Sequence, residues 1–413
     1  MRSPTRRLRA LIPVTALAAG LLAAAPAQSA DRSGAAPDLR LAPAATAVSG
    51  SWIVVLDDTP KSAVGAAAQD LAERYDGALG QVYRNAVRGF SVKMGKAEAL
   101  RLAADPRVAY VEQDAEVRLA PEPRGAKRKN ATQNGATWGL DRIDQRNLPL
   151  NGTYTYTTTA SNVHVYVIDT GVRVSHSEFG GRAKVGTDTV GDGQNGNDCH
   201  GHGTHVAGTA AGSTYGVAKS ASVVGVRVLN CLGSGTTSGV IAGVDWVTAN
   251  AVKPAVANMS LGGGASTSLD AAVQRSIDSG VSYAVAAGNG NIIGLPENAC
   301  GSSPARVPAA LTVGATDRTD TKASWSNYGS CVDLFAPGVD VTSAWSSGDS
   351  ATDTISGTSM ASPHTAGVAA LYLAAHPAAS PAQVSSAVTA NATSGVVQRA
   401  GTGSPNKLLH SLF

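Results

Sequence analysis

The chain has 413 residues, 46 of them glycine, with 15% charged and 5% aromatic side chains and a formal net charge of +3. That length allows two domains and a large core, and the composition suits a compact, loop-rich fold and not a disordered or nucleic-acid-binding chain. The basic balance belongs to the leader: residues 1–130 hold 19 Lys+Arg and 13 Asp+Glu, residues 131–413 hold 14 and 17, which argues against nucleic acid as a partner of the larger part.

Arg2, Arg6, Arg7 and Arg9 precede an apolar run from Leu11 to Ala25, followed by the small residues Ala25-Pro26-Ala27 and Gln28-Ser29-Ala30. This is the pattern of a secretory signal peptide over residues 1–30. The run is too short and Ala-rich for a membrane anchor, so no membrane association of the mature chain is expected and an extracellular location is. Residues 31–49 are Ala/Pro-rich and read as disordered. Trp52–Leu56, Gly80–Tyr83, Gly89–Met94 and Val108–Gln113 read as strands, and Ser62–Tyr75 and Lys96–Ala104 as helices. The order βαββαβ is the split ferredoxin-like unit, placed at about 50–118. Glu116 to Asn130 is polar, with Pro121, Pro123 and Lys127-Arg128-Lys129, and reads as an exposed linker, chiefly residues 119–130.

From residue 131 onward apolar strands alternate with helical patterns, which predicts an α/β fold with a doubly wound, mostly parallel sheet and helices on both faces. Val163–Ile168 reads as a buried strand ending at Asp169-Thr170-Gly171, with an acid where open α/β sheets place their sites. His200-Gly201-His202-Gly203-Thr204-His205 follows, and a close-packed helix starts near His202. Three histidines invite a zinc reading, but glycines separate them and no HExxH pattern supplies a base, so no catalytic metal is expected. Ser222–Leu229 leads to Gly233-Ser234-Gly235, an edge able to accept an extended peptide. Ala255–Ser260 runs into Leu261-Gly262-Gly263-Gly264, and Val281–Ala287 ends in Gly288-Asn289-Gly290. Gly357-Thr358-Ser359-Met360-Ala361-Ser362-Pro363-His364 opens a buried helix that stops near Pro377. Ser359 at a helix start is either an N-cap or a nucleophile.

An acid, an imidazole and a serine, each beside glycine, are the set that nucleophilic acyl transfer requires. Serine needs a base for its proton, and the base needs an orienting carboxylate. Asn289 at a strand end, with the Ser359 N–H, supplies donors for a developing oxyanion. Asp169-Thr170-Gly171, His202-Gly203-Thr204-His205-Val206-Ala207-Gly208 and the Ser359 segment resemble the three signature motifs of the subtilisin-like serine proteases. The order Asp, His, Ser is that of subtilisin. Asn258-Met259-Ser260-Leu261-Gly262-Gly263-Gly264 and Ala286-Ala287-Gly288-Asn289 extend the match, and the likeness is to the proteinase K branch and its aqualysin-type enzymes.

The resemblance implies Asp169, His202 and Ser359 as a triad, Asn289 as oxyanion donor and His205 as structural. Gly233, Ser234, Gly235, Ser260, Leu261 and Gly262 would flank the substrate strand, and Ala286, Ala287 and Gly288 would wall an open pocket for neutral side chains. Residues 50–118 resemble the family's propeptide inhibitor, with the mature chain starting at Ala131 and continuing to 413, without a further C-terminal propeptide. Cys199, Cys231, Cys300 and Cys331 allow three pairings; the resemblance implies Cys199–Cys231 and Cys300–Cys331. It also implies structural calcium, one ion at Asp333 with the Pro308 and Ala310 backbone oxygens and one at Asp141, Asp144 and Gln145. The expectation is a secreted, monomeric serine endopeptidase made as an autoprocessed zymogen, with polypeptide substrates and its propeptide as chaperone and inhibitor. The rival reading is a silent peptide-binding member of the same fold.

Overall fold

The structure, a computed structural model, describes residues 37–119, 135–291 and 293–413, and the signal-peptide reading and most of the linker lie outside them. Residues 36–413 form one compact unit. Its N-terminal part has the strands Ala47–Leu56, Ala78–Tyr83, Gly89–Lys93 and Val108–Arg118 and the helices Val64–Arg74 and Lys96–Ala103, in the βαββαβ order. Period-two alternation sends the two faces of the strand Ala47–Leu56 into two different cores. Trp52, Val54 and Leu56 pack on the two helices with Leu71 and Leu102. Ile53 and Val55, from the same strand, join a core with Val240, Ile241 and Val244 of the larger part.

Two sequence expectations fail here. Residues 37–49 are ordered: the short strand Leu39–Arg40 pairs with Val111 and Glu112, and the Arg40 guanidinium lies 3.7 Å over the Tyr110 ring. The partners are some seventy residues away, so local composition carried no sign of them. Glu116–Arg118 is no linker either, because the strand Val108–Arg118 runs on and pairs with Ser234–Thr236.

The larger part is built on a sheet of nine strands. From one edge its members are Thr393–Ser394, Lys407–Leu408, Leu334–Pro337, Leu311–Thr316, Ser282–Ala286, Ala255–Met259, His164–Asp169, Ser222–Arg227 and Ala183–Asp188. All its pairings are parallel except that of the first two strands. From His164–Asp169 the chain winds one way to Ser222–Arg227 and the other way to Ala255–Met259, so the order reverses at that strand. Parallel strands buried on both faces read as continuous apolar runs. Val165 and Val167 face the helices His202–Ala211 and Thr358–Ala375, whereas Tyr166 and Ile168 face Thr237–Asn250 and Thr267–Asp278. The carboxyl ends of adjacent strands thus carry Asp169, Ser260 and, one strand on, Asn289, at the point where open sheets bind ligands.

Candidate active site

Asp169 ends its strand with no solvent exposure, and its Oδ1 lies 2.7 Å from His202 Nδ1. Against a carboxylate Nδ1 is the protonated nitrogen, so Nε2 faces the other way, as a base requires. The Thr170 N–H also donates to Asp169 Oδ1, at 2.7 Å. Asp198, which the sequence reading did not single out, ties this strand end to the His202 helix. Its Oδ1 accepts from Thr170 Oγ1 at 2.9 Å, His200 N at 3.0 Å and Gly201 N at 2.8 Å. Its Oδ2 accepts from Thr204 N at 2.9 Å and Thr204 Oγ1 at 2.6 Å. Gly203 N closes the loop on Thr170 Oγ1 at 2.9 Å. Gly201 has φ +114°, a left-handed conformation that favours glycine, and a Cβ there would meet the Trp345 ring at 2.3 Å.

The helix Thr358–Ala375 packs on the helix His202–Ala211. Its cap is Gly357 with no side-chain bond, so Ser359 lies in the first turn and is not the N-cap. The Ser359 Oγ donates to Ser260 O at 3.2 Å. Pro363 sits inside this helix and has no N–H for the carbonyl four residues back. That carbonyl, Ser359 O, instead accepts from Ser260 Oγ at 2.7 Å. Asn258 Nδ2 donates to Ser260 Oγ and Ser362 Oγ donates to Asn258 Oδ1, both at 2.8 Å. The proline therefore couples the serine turn to the neighbouring strand end, which explains a residue that otherwise breaks helices. Asn289 Oδ1 accepts from Thr358 N at 2.8 Å and Thr358 Oγ1 at 2.7 Å. With its oxygen fixed, the amide nitrogen is presented on the opposite branch.

A cavity of about 700 Å³ is lined by Ser359, Asn289, Ser260, Leu261 and Gly262, by Ala286, Ala287 and Gly288, and by Gly233 and Ser234. Gly301, Ser302, Ser303 and Ala305 complete its small-residue walls. Gly235 lies outside the lining but pairs with Val117. The chain's own strand runs between the two groove edges: Glu116, Val117 and Arg118 pair antiparallel with Thr236, Gly235 and Ser234, and Arg118 bridges Gly262. Two carboxylates of this strand meet helix starts, where N–H groups lack partners. Glu112 accepts from Ser266 Oγ at 2.5 Å and Ser268 N at 3.1 Å. Asp114 accepts from Ser238 N at 3.0 Å and Ser238 Oγ at 2.6 Å. The period-two acids Glu112 and Asp114 were the sequence signal for these contacts.

The three histidines diverge. His205 is buried with Nε2 3.0 Å from Val341 O, and His200 Nδ1 accepts the His202 N–H at 3.3 Å. Burial pushes His205 down to about 3. Among the described residues no cluster of three His, Cys, Asp or Glu side chains is arranged to hold a metal.

Comparison with known proteins follows the same division of the chain. Residues 160–407 match the subtilase family (Peptidase_S8) and residues 51–120 match peptidase inhibitor I9. The chain is 58% identical to an extracellular serine proteinase of Thermus sp. (strain Rt41A) over 81% of its length and 78% of that protein's. The chain belongs to the subtilase family. It is a subtilisin-like serine protease carrying an inhibitor-type propeptide. This subtilase is also 49% identical to alkaline serine exoprotease A of Vibrio alginolyticus, over 91% of its length and 70% of the relative's. Its fold superposes on a cold adapted subtilisin-like serine proteinase with TM-score 0.65, at 57% identity over 68% of this chain and 99% of that one. Fervidolysin from Fervidobacterium pennivorans shares the fold, with TM-score 0.74 at 23% identity over 90% and 62% of the two chains.

The subtilase has both disulfides in the pairing that the resemblance implied, Cys199–Cys231 and Cys300–Cys331. The first flanks a buried guanidinium: Arg227 Nη2 lies 3.5 Å from Cys199 Sγ, and its Nη1 lies 2.9 Å from Asp188 and 2.6 Å from Asp192. The residues named for calcium differ in how they meet a cation's needs. Asp333 is half-buried, and desolvation pushes its carboxyl up to about 6, with one oxygen taking the Thr312 N–H at 2.8 Å. Asp141 accepts from Asn151 N at 3.2 Å and Gly152 N at 2.7 Å. Asp144 Oδ1 is buried with no hydrogen-bond partner, and desolvation raises that carboxyl. Gln145 turns its amide nitrogen to Asn147 O and Pro149 O. A desolvated carboxylate at each place fits a hard cation.

Proposed function

We propose that this subtilase is a secreted serine endopeptidase of broad, mainly apolar and neutral preference, made as a zymogen over residues 1–30, 31–130 and 131–413. Ser359 attacks the substrate carbonyl, with His202 as base and then acid and Asp169 holding the imidazole. Asn289 and the Ser359 N–H stabilise the oxyanion. The observation that carries the reading is the buried Asp169–His202 bond at 2.7 Å, with Ser359 and Asn289 on one cavity that already receives an extended strand. A strand paired on both edges is how such a groove would take polypeptide. The alanine, glycine and serine of its walls favour side chains without charge, and Glu297 is the one acidic residue on the lining.

Secretion is supported by the leader and by a relative named as extracellular, and no described helix is long and apolar enough to cross a membrane. Asp333 with the Pro308 and Ala310 carbonyls, and Asp141, Asp144 and Gln145, would hold structural calcium; the ion would neutralise buried charge and supply no chemistry. The propeptide serves as folding template and inhibitor. Purified wild type should hydrolyse casein and the Ser359→Ala protein should not. Peptides varied at the residue before the cut should be cleaved faster with Phe, Leu or Ala than with Lys or Arg. Casein hydrolysis by the Ser359→Ala protein, or none by the wild type, defeats the reading; the second result is the one a silent binding protein gives.

A further inference from the structure

The helix His202–Ala211 starts without an ordinary cap, because Gly201 stands at the cap position and has no side chain to accept an N–H. His200 takes part of that role. Its Nδ1 lies 3.3 Å from His202 N and accepts the N–H two residues on, as an Asn side chain does in an Asx turn. A ring nitrogen that accepts is unprotonated, so this imidazole is neutral and carries its hydrogen on Nε2. The His200 and His202 rings stand edge to face with centroids 6.3 Å apart. The His200 ring is half-buried, with the Trp345 ring centroid at 6.5 Å, and its Nε2 reaches the groove edge, 3.3 Å from where a Cβ on Gly233 would lie.

Among the described residues, charges of both signs surround this ring. Asp198 accepts the His200 N–H at 3.0 Å, and Asp169 lies on the far side of His202. The Arg227 guanidinium stands behind Cys199, 3.5 Å from its Sγ, and is paired with Asp188 and Asp192. His205, which also meets the Trp345 ring, is held neutral by burial. The loop after Trp345 brings Asp349, paired with Arg173 at 2.6 Å. On the groove edge Gly233 and Leu119 carry no charge, and Glu116 and Arg118 pair with each other.

We propose, on the reading of His202 as base, that His200 is a positioning residue whose own protonation switches the reaction off, so that activity is lost in acid with two protons and not one. A second proton on this ring binds at Nδ1, the atom that accepts the His202 N–H. Its arrival breaks that hydrogen bond and loosens the turn that holds His202 against Asp169. It also sets a cation beside an imidazole that must itself become a cation when it takes the Ser359 proton.

The test is the pH profile of kcat/KM for a peptide substrate, taken on the purified secreted enzyme between about pH 8 and 5, with circular dichroism at each pH to show that the chain stays folded. For the wild type, the slope of log kcat/KM against pH bends from about one to about two as pH falls, because like charges this close take up their protons in separate steps. His200→Asn keeps an acceptor for the His202 N–H and has no proton to gain. Its kcat at about pH 8 stays within about twofold of wild type and its slope stays at about one. His200→Leu has no acceptor and no proton to gain, so its slope is about one and its kcat is roughly two- to tenfold lower at every pH, the range that one lost hydrogen bond gives. A wild-type slope that remains at one throughout, a second proton that persists in His200→Asn, or an undiminished kcat in His200→Leu overturns the proposal. No hydrolysis by any of the three proteins at any pH would instead defeat the reading of the triad.

Discussion

Asp198 touches no reacting atom, yet five donors converge on its carboxylate, from both the Asp169 strand end and the first turn of the His202 helix. Hydrogen bonds to a charged group contribute about 1.5–3 kcal/mol each, and an amide nitrogen would face donors in place of an acceptor. Asp198→Asn should therefore lower kcat by roughly tenfold to a hundredfold through misplacement of the imidazole, with KM little changed. Loss of a negative charge beside His202 should also move the acid limb of the kcat/KM profile to lower pH. An unchanged profile with a fall only in the amount of folded enzyme would make Asp198 merely structural. Asn289→Ala should cost roughly 2.7–4 kcal/mol in the barrier, a figure measured in subtilisin, a relative of this chain. Its KM for a peptide substrate should hold, because the ground-state carbonyl does not need the amide.

At the scale of elements, the propeptide strand Val108–Arg118 is the one that joins the inhibitor-type part to the larger part. Glu112 and Asp114 serve as anions at the starts of the helices Thr267–Asp278 and Thr237–Asn250. A cap with a favourable dipole contributes about 1–2 kcal/mol, so Glu112→Ala and Asp114→Ala should each weaken inhibition by the isolated propeptide about tenfold or more. Equal inhibition constants for variant and wild type would remove the caps from the account. The apolar periodicity of Trp52–Leu56, Val163–Ile168 and Ser222–Leu229 made the strands legible, because burial on a sheet imposes period two or a continuous run. The residues proposed as the triad stood out in the sequence because each lies in a glycine-flanked motif that is local in sequence. Asp198, Asn258 and Ser362 were not, since their partners are brought to them by the fold. The pairing of Leu39–Arg40 and of Glu116–Arg118 was likewise invisible, because an edge strand is defined by its neighbour and not by its own pattern.

For the whole molecule, two crosslinks and several buried ionisable groups govern stability. Each disulfide closes a loop of about thirty residues, a chain-entropy contribution on the order of 3–4 kcal/mol, so Cys300→Ser with Cys331→Ser should lower Tm by several degrees. Burial pushes His205 to about 3 and His364 to about 4, below the ordinary histidine value. The unfolded chain therefore takes up protons that the folded chain refuses, and stability should fall as pH drops from about 6.5 toward 4. Asp333 has the opposite sign. Its folded value of about 6 lies above the unfolded one, so its contribution is present in acid and is lost as pH rises through about 6. Calcium at Asp333 would remove that loss, so added calcium should raise Tm at pH 7–8 and much less below pH 6. Asp333→Asn should blunt the response; an undiminished response would place the ion elsewhere.

The most direct test of Ser359 activated by His202 and Asp169 is labelling of the mature enzyme with a fluorophosphonate, read by intact mass and peptide mapping. A single adduct on the peptide containing Ser359, absent from Ser359→Ala and His202→Ala, is the predicted result. An adduct on another residue, or none while casein hydrolysis continues, would contradict it.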